Sequence, residues 1–594
     1  MSERTRRSRR RSRAGEAGYA ALLAALLAGT VLIPLTAIAV DVARWYVEIE
    51  RVQTAADAAA LAGVTYMPDD FTSAKSTAIT VSGRNGYPNS GTSTVTVSTT
   101  SKPSQLKVTV TSKIRNGFAG TFGKPYTTVS RSAVADFNGP APMGSPCNAY
   151  GNEPGAALSA DVNRGPSTSQ IVVPGGGATC SSNPQYWGAI AGPDTPKANG
   201  DAFMTRTCAS GNSGCSGTTN TEFNPLGYFY IVRVKPAAVG YPMTIQVYDP
   251  AFVQVGDDCA GNPNTSGTGG AFVNNMSPFV PSDGIARYAA GNSTPFCNGD
   301  VLGAGNASDI VTSYGLRLPT DTYQPKLATP IAACERQYPG YDSTNVRSEV
   351  LRGPPTANSK YKPDVAKVFR QWVDLCTYTP TQAGDYYLQI RTNVALGGNA
   401  DGEGGYKDNA NVFTQAGDDT VIKGSGNNRF AMRVKGSQRG NISISGFQAM
   451  GMYANYSNGS AGANSTFNLV RVVPAAATKT LKIGFFDTGD ASQPGTLTIQ
   501  PPTDSNLPAS IGNCTGSGVV TGSIPGCQLT NVSSATYNGK WQTVNVPIPA
   551  NYTCQVNMAG GCWFTVRFNF PAGVPTDTTT WTAKIDGDPV RLVQ

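Results

Sequence analysis

The chain has 594 residues, a length that predicts more than one domain, and 67 glycines and 41 prolines, which are typical of turn-rich β-structure. Only 14% of the residues are charged, the formal net charge is +8, and there is no histidine. The absence of histidine excludes Ser-His-Asp triads, Cys-His pairs and His-ligated zinc or haem. Chemistry by paired carboxylates or a Ser-Lys dyad stays open.

The chain begins with a basic arm, residues 1–16, which holds seven arginines and two glutamates. Residues 17–40 follow without a single charge, and as a helix they would span about 36 Å, enough for a hydrocarbon core of about 30 Å. The positive-inside rule places the arm in the cytoplasm and everything after the span outside. Because the arm contributes +5 of the net charge of +8, the charge indicates membrane topology, and no nucleic-acid partner is predicted.

A cleaved secretory signal is the alternative, with Ala37-Ile38-Ala39 as its cleavage site. The apolar stretch is longer than the 7–15 residues of an ordinary signal core. Helical spacing also continues past the site, with apolar side chains at Val42, Trp45, Ile49 and Val52. The sequence therefore predicts a retained transmembrane helix, 17–40, that runs on to about Gly63, with Pro34 as the point where the span bends.

The segment around this helix resembles a known family. Gly18 precedes the apolar span, Asp41 follows it directly, and residues 53–62 read QTAADAAALA. This pattern is similar to the N-terminus of TadG-like proteins of the Flp (tight adherence) pilus-assembly system. The chain lacks the Asp-x-Ser-x-Ser metal-adhesion motif of many longer relatives, and Ala20 stands where a prepilin processing site would have glutamate. The resemblance implies a structural or interaction role in pilus assembly or surface adhesion.

Residues 41–137 are predicted to form the rest of this TadG-like helix plus a small sheet. A short helix is expected near Ala74–Arg84, followed by a turn at Asn85-Gly86. Alternating apolar residues near 92–99, 105–112 and 129–137 predict three antiparallel strands beside the helix. The result is a pilin-like αβ domain.

All 12 cysteines lie between Cys147 and Cys562, in the part predicted to be exported. An even number in such a place indicates disulfides in an oxidising compartment. The closest pairs are the simplest candidates, although connectivity does not follow from spacing. They are Cys208–Cys215, Cys514–Cys527 and Cys554–Cys562.

A long repeat is present in the exported part. Residues 228–249 align without gaps to residues 466–487, with 9 identities in 22 positions, and each copy reads as two strands joined by Pro-Ala-Ala. Weaker matches link 387–394 to 563–570 and 429–434 to 580–585. The short alternating strands predict two duplicated antiparallel β-sandwiches, jelly-roll-like, within an α+β but mainly β chain.

The domain limits follow from the repeat. The first sandwich is placed at 138–436 with large insertions, and the second at 437–594. Residues 138–200 either link the pilin-like part to the first sandwich or supply its leading strands.

Acidic residues close the matching strands of the two copies. Asp249 and Asp257 in the first copy, and Asp487 and Asp490 in the second, could bind calcium, which prefers oxygen ligands. The alternative is a turn in which aspartate accepts backbone N–H bonds, and it is favoured because one or two acids do not specify a metal. No other cofactor is predicted.

The loop 401–409 combines acids, glycines and an aromatic residue. Asp401, Glu403 and Tyr406 are the candidate binding residues, although such composition is also typical of a plain surface loop. Tyr453 and Trp541 could stack on sugars or belong to the core. Arg233 and Arg471 recur in strands and could be buried pairs with carboxylates.

Together these features favour a single-pass, non-enzymatic protein of a bacterial cell envelope, N-terminus inside. Its expected partners are the membrane and either pilus-assembly proteins or envelope polysaccharide. The first alternative is a polysaccharide-binding surface module. The second is a carboxylate-based glycan hydrolase, which requires two facing acids in a cleft.

Overall fold

The computed structural model describes residues 9–67, 71–100, 105–137, 141–151, 186–206, 208, 219–252, 299–301, 310–320, 324–338, 340, 368, 372–392, 424–455, 463–491, 493–556, 560–572, 576–586 and 590–592. The chain divides into two compact units. The N-terminal unit comprises Met1–Phe137 with Asp588–Gln594, and the large unit comprises Asn138–Gly587. The large unit is therefore an insertion near the C-terminal end of the small one.

One long helix opens the N-terminal unit. It consists of α1 (Arg9–Leu27), a π-helical turn (Ala28–Leu32) and α2 (Ile33–Gly63), and it closes with a 3-10 turn, Val64–Tyr66. The π turn ends two residues before Pro34, which has no backbone N–H to donate to a regular helix. The helical continuity predicted as far as Gly63 is confirmed.

Residues 18–66 make one continuous helix, and its most apolar stretch is exposed and is long and hydrophobic enough to cross a membrane. A signal sequence near an N-terminus would meet the same criterion. The structure thus supports a membrane anchor or a signal by length and composition.

A small sheet packs beside the helix. Helix α3 (Phe71–Arg84) is followed by β1 (Ser93–Thr99), β2 (Gln105–Arg115), a 3-10 turn (Ala119–Phe122) and β3 (Tyr126–Phe137). The strands pair antiparallel in the order β1-β2-β3, as predicted. Alternate residues of β1 and β2 are buried, because one face of the sheet packs on α2 and α3.

The fourth strand of this sheet comes from the C-terminal end of the sequence. Val590–Leu592 pairs antiparallel with β3, in the register Val590 to Phe137 and Leu592 to Ala135. The second sandwich was predicted to extend to residue 594, and for this segment the prediction is wrong. The segment leaves the large unit because the edge of β3 offers it backbone partners.

Gly63 lies where α2 packs closely against α3. A Cβ placed on it would lie 2.7 Å from the Ala74 carbonyl oxygen and 2.7 Å from a Leu106 methyl carbon. The small side chains of Ala56 and Ala60, both fully buried, keep the helix similarly close to its neighbours. Glycine at 63 is thus required by packing.

Gly63→Ala is expected to destabilise the N-terminal unit by about 1–3 kcal/mol, because the added methyl must displace backbone. Hydrogen exchange of the buried β2 amides checks the change. Gly83→Ala in α3 is the matched control, since its Cβ would make ordinary contact at 3.8 Å. Equal protection in both variants would contradict the packing argument.

The large unit is built from antiparallel strands. In chain order they are β4 (Pro142–Met143), β5 (Ala149–Tyr150), β6 (Tyr186–Ala191), β7 (Tyr228–Val234), β8 (Met243–Tyr248), β9 (Thr312–Arg317), β10 (Pro330–Tyr338), β11 (Trp372–Tyr378), β12 (Gly384–Thr392), β13 (Asn427–Lys435), β14 (Ile442–Phe447), β15 (Ala449–Asn455), β16 (Ala463–Arg471), β17 (Thr480–Phe486), β18 (Gly495–Gln500), β19 (Cys514–Gly518), β20 (Gly522–Ile524), β21 (Gln528–Val532), β22 (Trp541–Pro547), β23 (Trp563–Phe570) and β24 (Thr576–Ile585). Short helical turns lie at Lys197–Asn199, Pro236–Ala238, Pro325–Leu327, Arg439–Asn441, Pro474–Ala476, Pro525–Cys527 and Ser534–Tyr537. The mainly β, antiparallel class that the sequence predicted is confirmed.

Hydrogen-bonded pairs arrange these strands in two layers. In the described residues one layer runs β10-β9-β12-β7-β14-β4-β16-β23-β18-β21. The other runs β11-β8-β13-β6-β15-β24-β17-β22-β19-β20. Buried side chains from both layers form one hydrophobic core.

The two aligned repeats have the same local structure. In each, a strand of the first layer, a Pro-Ala-Ala turn and a strand of the second layer follow one another, as β7 and β8 or as β16 and β17. Each copy then ends in an aspartate with positive φ, 56° at Asp249 and 59° at Asp487. The shared left-handed residue ends the strand in both places.

The repeats are joined by strand pairing, because each layer continues from one repeat into the other. Strand β14 follows the predicted boundary at 436/437, yet it pairs with β7 of the first repeat. Strand β4 precedes the first repeat and pairs with β16 of the second. The limits 138–436 and 437–594 are thus corrected, since residues 138–587 form one unit. Strands β4 and β6 show that residues 138–200 supply joining strands.

Candidate functional site

The first candidate site is the junction where the helix leaves its apolar span. Asp41 is the first residue after that span, and its carboxylate accepts three backbone N–H bonds, from Gly117 (2.9 Å), Phe118 (2.8 Å) and Ala119 (2.6 Å). These donors belong to the connection between β2 and β3. The bond from Ala119, with the two others, holds the pKa of Asp41 below its usual value.

Asn116 extends this junction. Its side-chain oxygen accepts from the Trp45 indole at 2.8 Å and from the Thr127 hydroxyl at 3.0 Å, and its amide donates to the Lys124 carbonyl at 2.7 Å. One turn further along the helix, Glu48 accepts from Ser112 at 2.7 Å. These hydrogen bonds thus hold the β2–β3 connection beside the part of the helix that directly follows the apolar span. No sequence pattern singles out Asn116, since it reads as an ordinary turn residue.

Asp41→Ala is expected to loosen this connection, because three N–H groups lose one charged acceptor together. In detergent-solubilised full chain, the amides of residues 117–119 should exchange at least about tenfold faster. Glu50→Ala, which removes an exposed acid from the same helix, should leave them unchanged. Unaltered exchange in Asp41→Ala would show that the junction does not depend on the carboxylate.

The second candidate site is the cluster of acids predicted to bind calcium. The structure brings Asp487 and Asp490 together and adds Asp577 from β24, whose carboxylate accepts the Asp490 N–H at 2.8 Å. Asp487 accepts from the Gly539 N–H through its side chain and from the Thr579 hydroxyl (3.2 Å) through its carbonyl. Asp487 and Asp577 are only 1% and 7% exposed.

Burial raises the pKa values of all three acids. Desolvation, then the charge of Asp490, raises the pKa of Asp577 to about 7. Desolvation raises that of Asp490 to about 6, and desolvation with the charge of Asp490 raises that of Asp487 well above its usual range. Arg429 partly offsets the effect at Asp577. Asp490 and Asp577 therefore titrate closer to neutral pH than exposed carboxylates do.

The geometry does not favour a cation cage at this cluster. Within the described parts of the chain, only Asp504, Cys554 and Cys562 place three candidate ligand atoms within 4.8 Å of one another. The two cysteines are joined in a disulfide, so they are not thiolate ligands. The Gly539 bond to Asp487 and the Asp490 N–H bond to Asp577 are those of the aspartate-turn alternative. Calcium stays a prediction.

The other calcium candidates are not part of this cluster. Asp249, which is 1% exposed, occupies the matching position of the first repeat, after β8. Asp257 lies outside the described residues. Asp577 was missed because it is 87 positions from Asp490 and its own neighbourhood, a run of threonines, reads as an ordinary strand.

The binding loop of Asp401, Glu403 and Tyr406 also lies outside the described residues. Polysaccharide binding there stays a prediction, and loss of glycan-array binding on calcium chelation would test it. Tyr453 belongs to the core, fully buried, with the Arg429 guanidinium 3.5 Å from its ring centre. The Trp541 indole donates to Glu222 at 3.1 Å.

The two repeated arginines have different partners. Arg233 makes the expected pair with a carboxylate, donating to Asp385 through two nitrogens at 2.7 and 3.0 Å. Arg471 donates to the Val556 carbonyl at 2.8 Å. Both arginines hold neighbouring segments in place.

Disulfides join three described pairs. Cys514–Cys527 and Cys554–Cys562 pair as the sequence suggested, with Cα–Cα distances of 5.2 and 5.4 Å. The third, Cys334–Cys376, was not predicted and links β10 of one layer to β11 of the other. Cys208 is disulfide-bonded, but its proposed partner Cys215 lies outside the described residues.

Comparison with known proteins gives a family match for one segment of the helix. Residues 18–65 match the Tad family model, described as Flp pilus-assembly TadE/G-like, and the resemblance is confirmed for this segment. No curated protein matches the chain. Among solved structures, the chain is similar to the N-terminal CBM22-1-CBM22-2 tandem domain of Paenibacillus barcinonensis Xyn10C, at 11% identity, covering 58% of this chain and 78% of that one, with a TM-score of 0.12. That score supports no argument about fold or function.

Proposed function

We propose that this chain is a single-pass envelope protein whose Tad helix anchors a large extracytoplasmic β unit for pilus assembly or surface adhesion. The observation that carries the proposal is the unbroken helix. Its apolar part is long enough to span a bilayer, and its continuation is packed into the N-terminal unit and bonded through Asp41. The arginine-rich arm favours the orientation with the N-terminus inside.

The composition of the large unit supports a role outside the membrane. Its described cysteines are all disulfide-bonded, which suits an oxidising compartment. We further infer that the unit arose by duplication of one sandwich, because the aligned segments share their strand–turn–strand structure and a left-handed aspartate. We propose that this unit interacts with other molecules outside the membrane, in pilus assembly or surface adhesion.

The hydrolase alternative receives less support. Asp487 and Asp577 lie inside the fold at 1% and 7% exposure, where a polysaccharide chain has no access. A glycosidase needs its two acids on either side of a bound sugar. The acid cluster is therefore better explained as part of the fold.

Photo-crosslinking in intact cells tests the proposal. A photoreactive residue replaces Tyr241 or Leu327, which are 48% and 62% exposed on the large unit, and the same cells kept in the dark are the control. Recovery of pilus-machinery components from the irradiated cells only is expected. Recovery of none from either position would overturn the role in pilus assembly.

A further inference from the structure

The membrane-proximal end of the N-terminal unit is set by the Asp41 bonds. Because Asp41 directly follows the uncharged span, the β2–β3 connection that it holds lies where the hydrocarbon core would end. From residue 41 to residue 46 the helix rises about 7.5 Å at about 1.5 Å per residue, which is close to the depth of one headgroup layer. The helix and this connection would therefore share the interface.

Large apolar side chains are exposed at this end. Phe118 is 47% exposed, Tyr126 45% and Tyr46 66%. Phe118 is tied by its own N–H to Asp41, so its ring stays near the end of the span. Trp45 is half-buried against Asn116. Tyrosine and tryptophan are enriched at membrane–water interfaces, where an apolar ring and a polar tip are both accommodated.

The same end carries exposed positive charge. Arg44, Lys113, Arg115 and Lys124 are all exposed. The Lys113 ammonium lies 4.7 Å from the Tyr126 ring centre, and the Lys124 ammonium lies 6.0 Å from that of Trp45. These cations are thus interleaved with the aromatic rings.

The nearby acids offset only part of this charge. Asp41 and Glu48 accept hydrogen bonds from neutral donors, which leave a carboxylate's charge in place, so two acids stand against four basic side chains here. Glu50 is exposed, more than two helical turns beyond Asp41. The surface closest to the span therefore has a net positive charge, which complements lipid phosphates.

We propose that this surface, which we call the interfacial patch, binds the anionic phospholipid surface around the anchor. The patch consists of Trp45, Tyr46, Phe118, Tyr126, Arg44, Lys113, Arg115 and Lys124. Phe118 and Tyr126 enter the boundary between headgroups and acyl chains, while the basic side chains contact lipid phosphates. The inference rests on the proposed membrane anchoring and deepens it by naming the partner of the patch. The interfacial patch is continuous with the membrane span, and its positive charge is complementary to the charge of the lipid.

Fluorescence in vesicles tests the proposal on the oxidised full chain. Phe118→Cys carries an environment-sensitive NBD label, and Ser98→Cys is the matched control in the same sheet. Ser98 is exposed and pairs with Lys107, nine residues before Asn116, which puts it about 30 Å along the strand from the patch. The vesicles contain phosphatidylcholine with phosphatidylglycerol, and doxyl-labelled lipid serves as the quencher.

A blue-shifted emission at 118, quenched at least about threefold more than at 98, is the expected result. Omitting phosphatidylglycerol, or combining Arg44→Gln, Arg115→Gln and Lys124→Gln, should reduce the quenching at 118. Co-flotation with vesicles is measured in parallel. It reports on anchoring alone.

The outcomes separate the two proposals. A chain that floats with vesicles while its label at 118 reports water overturns the inference and leaves the anchoring intact. A blue shift without lipid quenching shows that protein covers the patch, and this also overturns it. A chain that does not float overturns the anchoring.

Discussion

Asp577→Asn is expected to raise the free energy of unfolding of the large unit at pH 8 by about 2–4 kcal/mol. The reason is the pKa of Asp577, which the fold raises to about 7, against about 3.9 in an unfolded chain. At pH 8 the folded unit must hold this buried carboxylate ionised beside Asp490, and this lowers the free energy of unfolding. Asparagine keeps an oxygen that accepts the Asp490 N–H and carries no charge.

The pH dependence has a definite sign. Below about pH 4 the carboxylate is protonated in both states and costs nothing. Between pH 4 and 7 only the unfolded state releases its proton, so stability falls as the pH rises. Above the pKa that Asp577 has in the folded state, the loss of stability is complete. Thermal unfolding at pH 5 and pH 8 should therefore differ more in the wild type than in Asp577→Asn.

Asp586→Asn is the matched control, because Asp586 is an exposed acid paired with Lys482 at 2.9 Å and such pairs contribute little. The pH dependence of its melting temperature should follow that of the wild type. If calcium raised the melting temperature of the wild type at pH 8 but not that of Asp577→Asn, a cation rather than a proton would be the natural counter-charge. Parallel pH profiles for Asp577→Asn and the wild type would contradict the electrostatic argument.

Local patterns in the sequence predicted the N-terminal unit well. Helix α3 begins at Phe71 and ends at Arg84, within three residues of the prediction, and β1 and β3 occupy almost the predicted ranges. These elements depend on neighbours in the sequence, so periodicity and the Asn85-Gly86 turn suffice. The Tad resemblance likewise rests on one contiguous segment.

Long-range pairing was not predictable in the same way. Strand β4 has two residues and Val590–Leu592 has three, too few for any alternation to show. Their positions are decided by free strand edges far away in the sequence, at β16 and β3. The acid cluster depends on the same kind of contact, because Asp577 reaches Asp490 only after β24 has paired with β17.

This pairing predicts that the two repeats unfold together. Leu316 in β9 and Leu497 in β18 are both fully buried and occupy matching strands of the two repeats. Replacing either with alanine is expected to cost about 2–5 kcal/mol. Because β4 and β14 pair across the repeats, either replacement should lower the temperature of one calorimetric transition that both repeats share. Independent sandwiches would instead show one shifted and one unshifted transition.

Contacts beyond the strands strengthen this expectation. The Thr580 hydroxyl of β24 donates to the Gly200 carbonyl at 2.8 Å and accepts from the Ala202 N–H at 2.9 Å. The segment before the first repeat is thereby bonded to the second. Ser517→Ala, at an exposed position of β19, is the control and should leave the transition within about 0.5 kcal/mol of the wild type. Two separate transitions in which each leucine variant shifts only its own would show that the pairing of β4 and β14 does not couple the repeats.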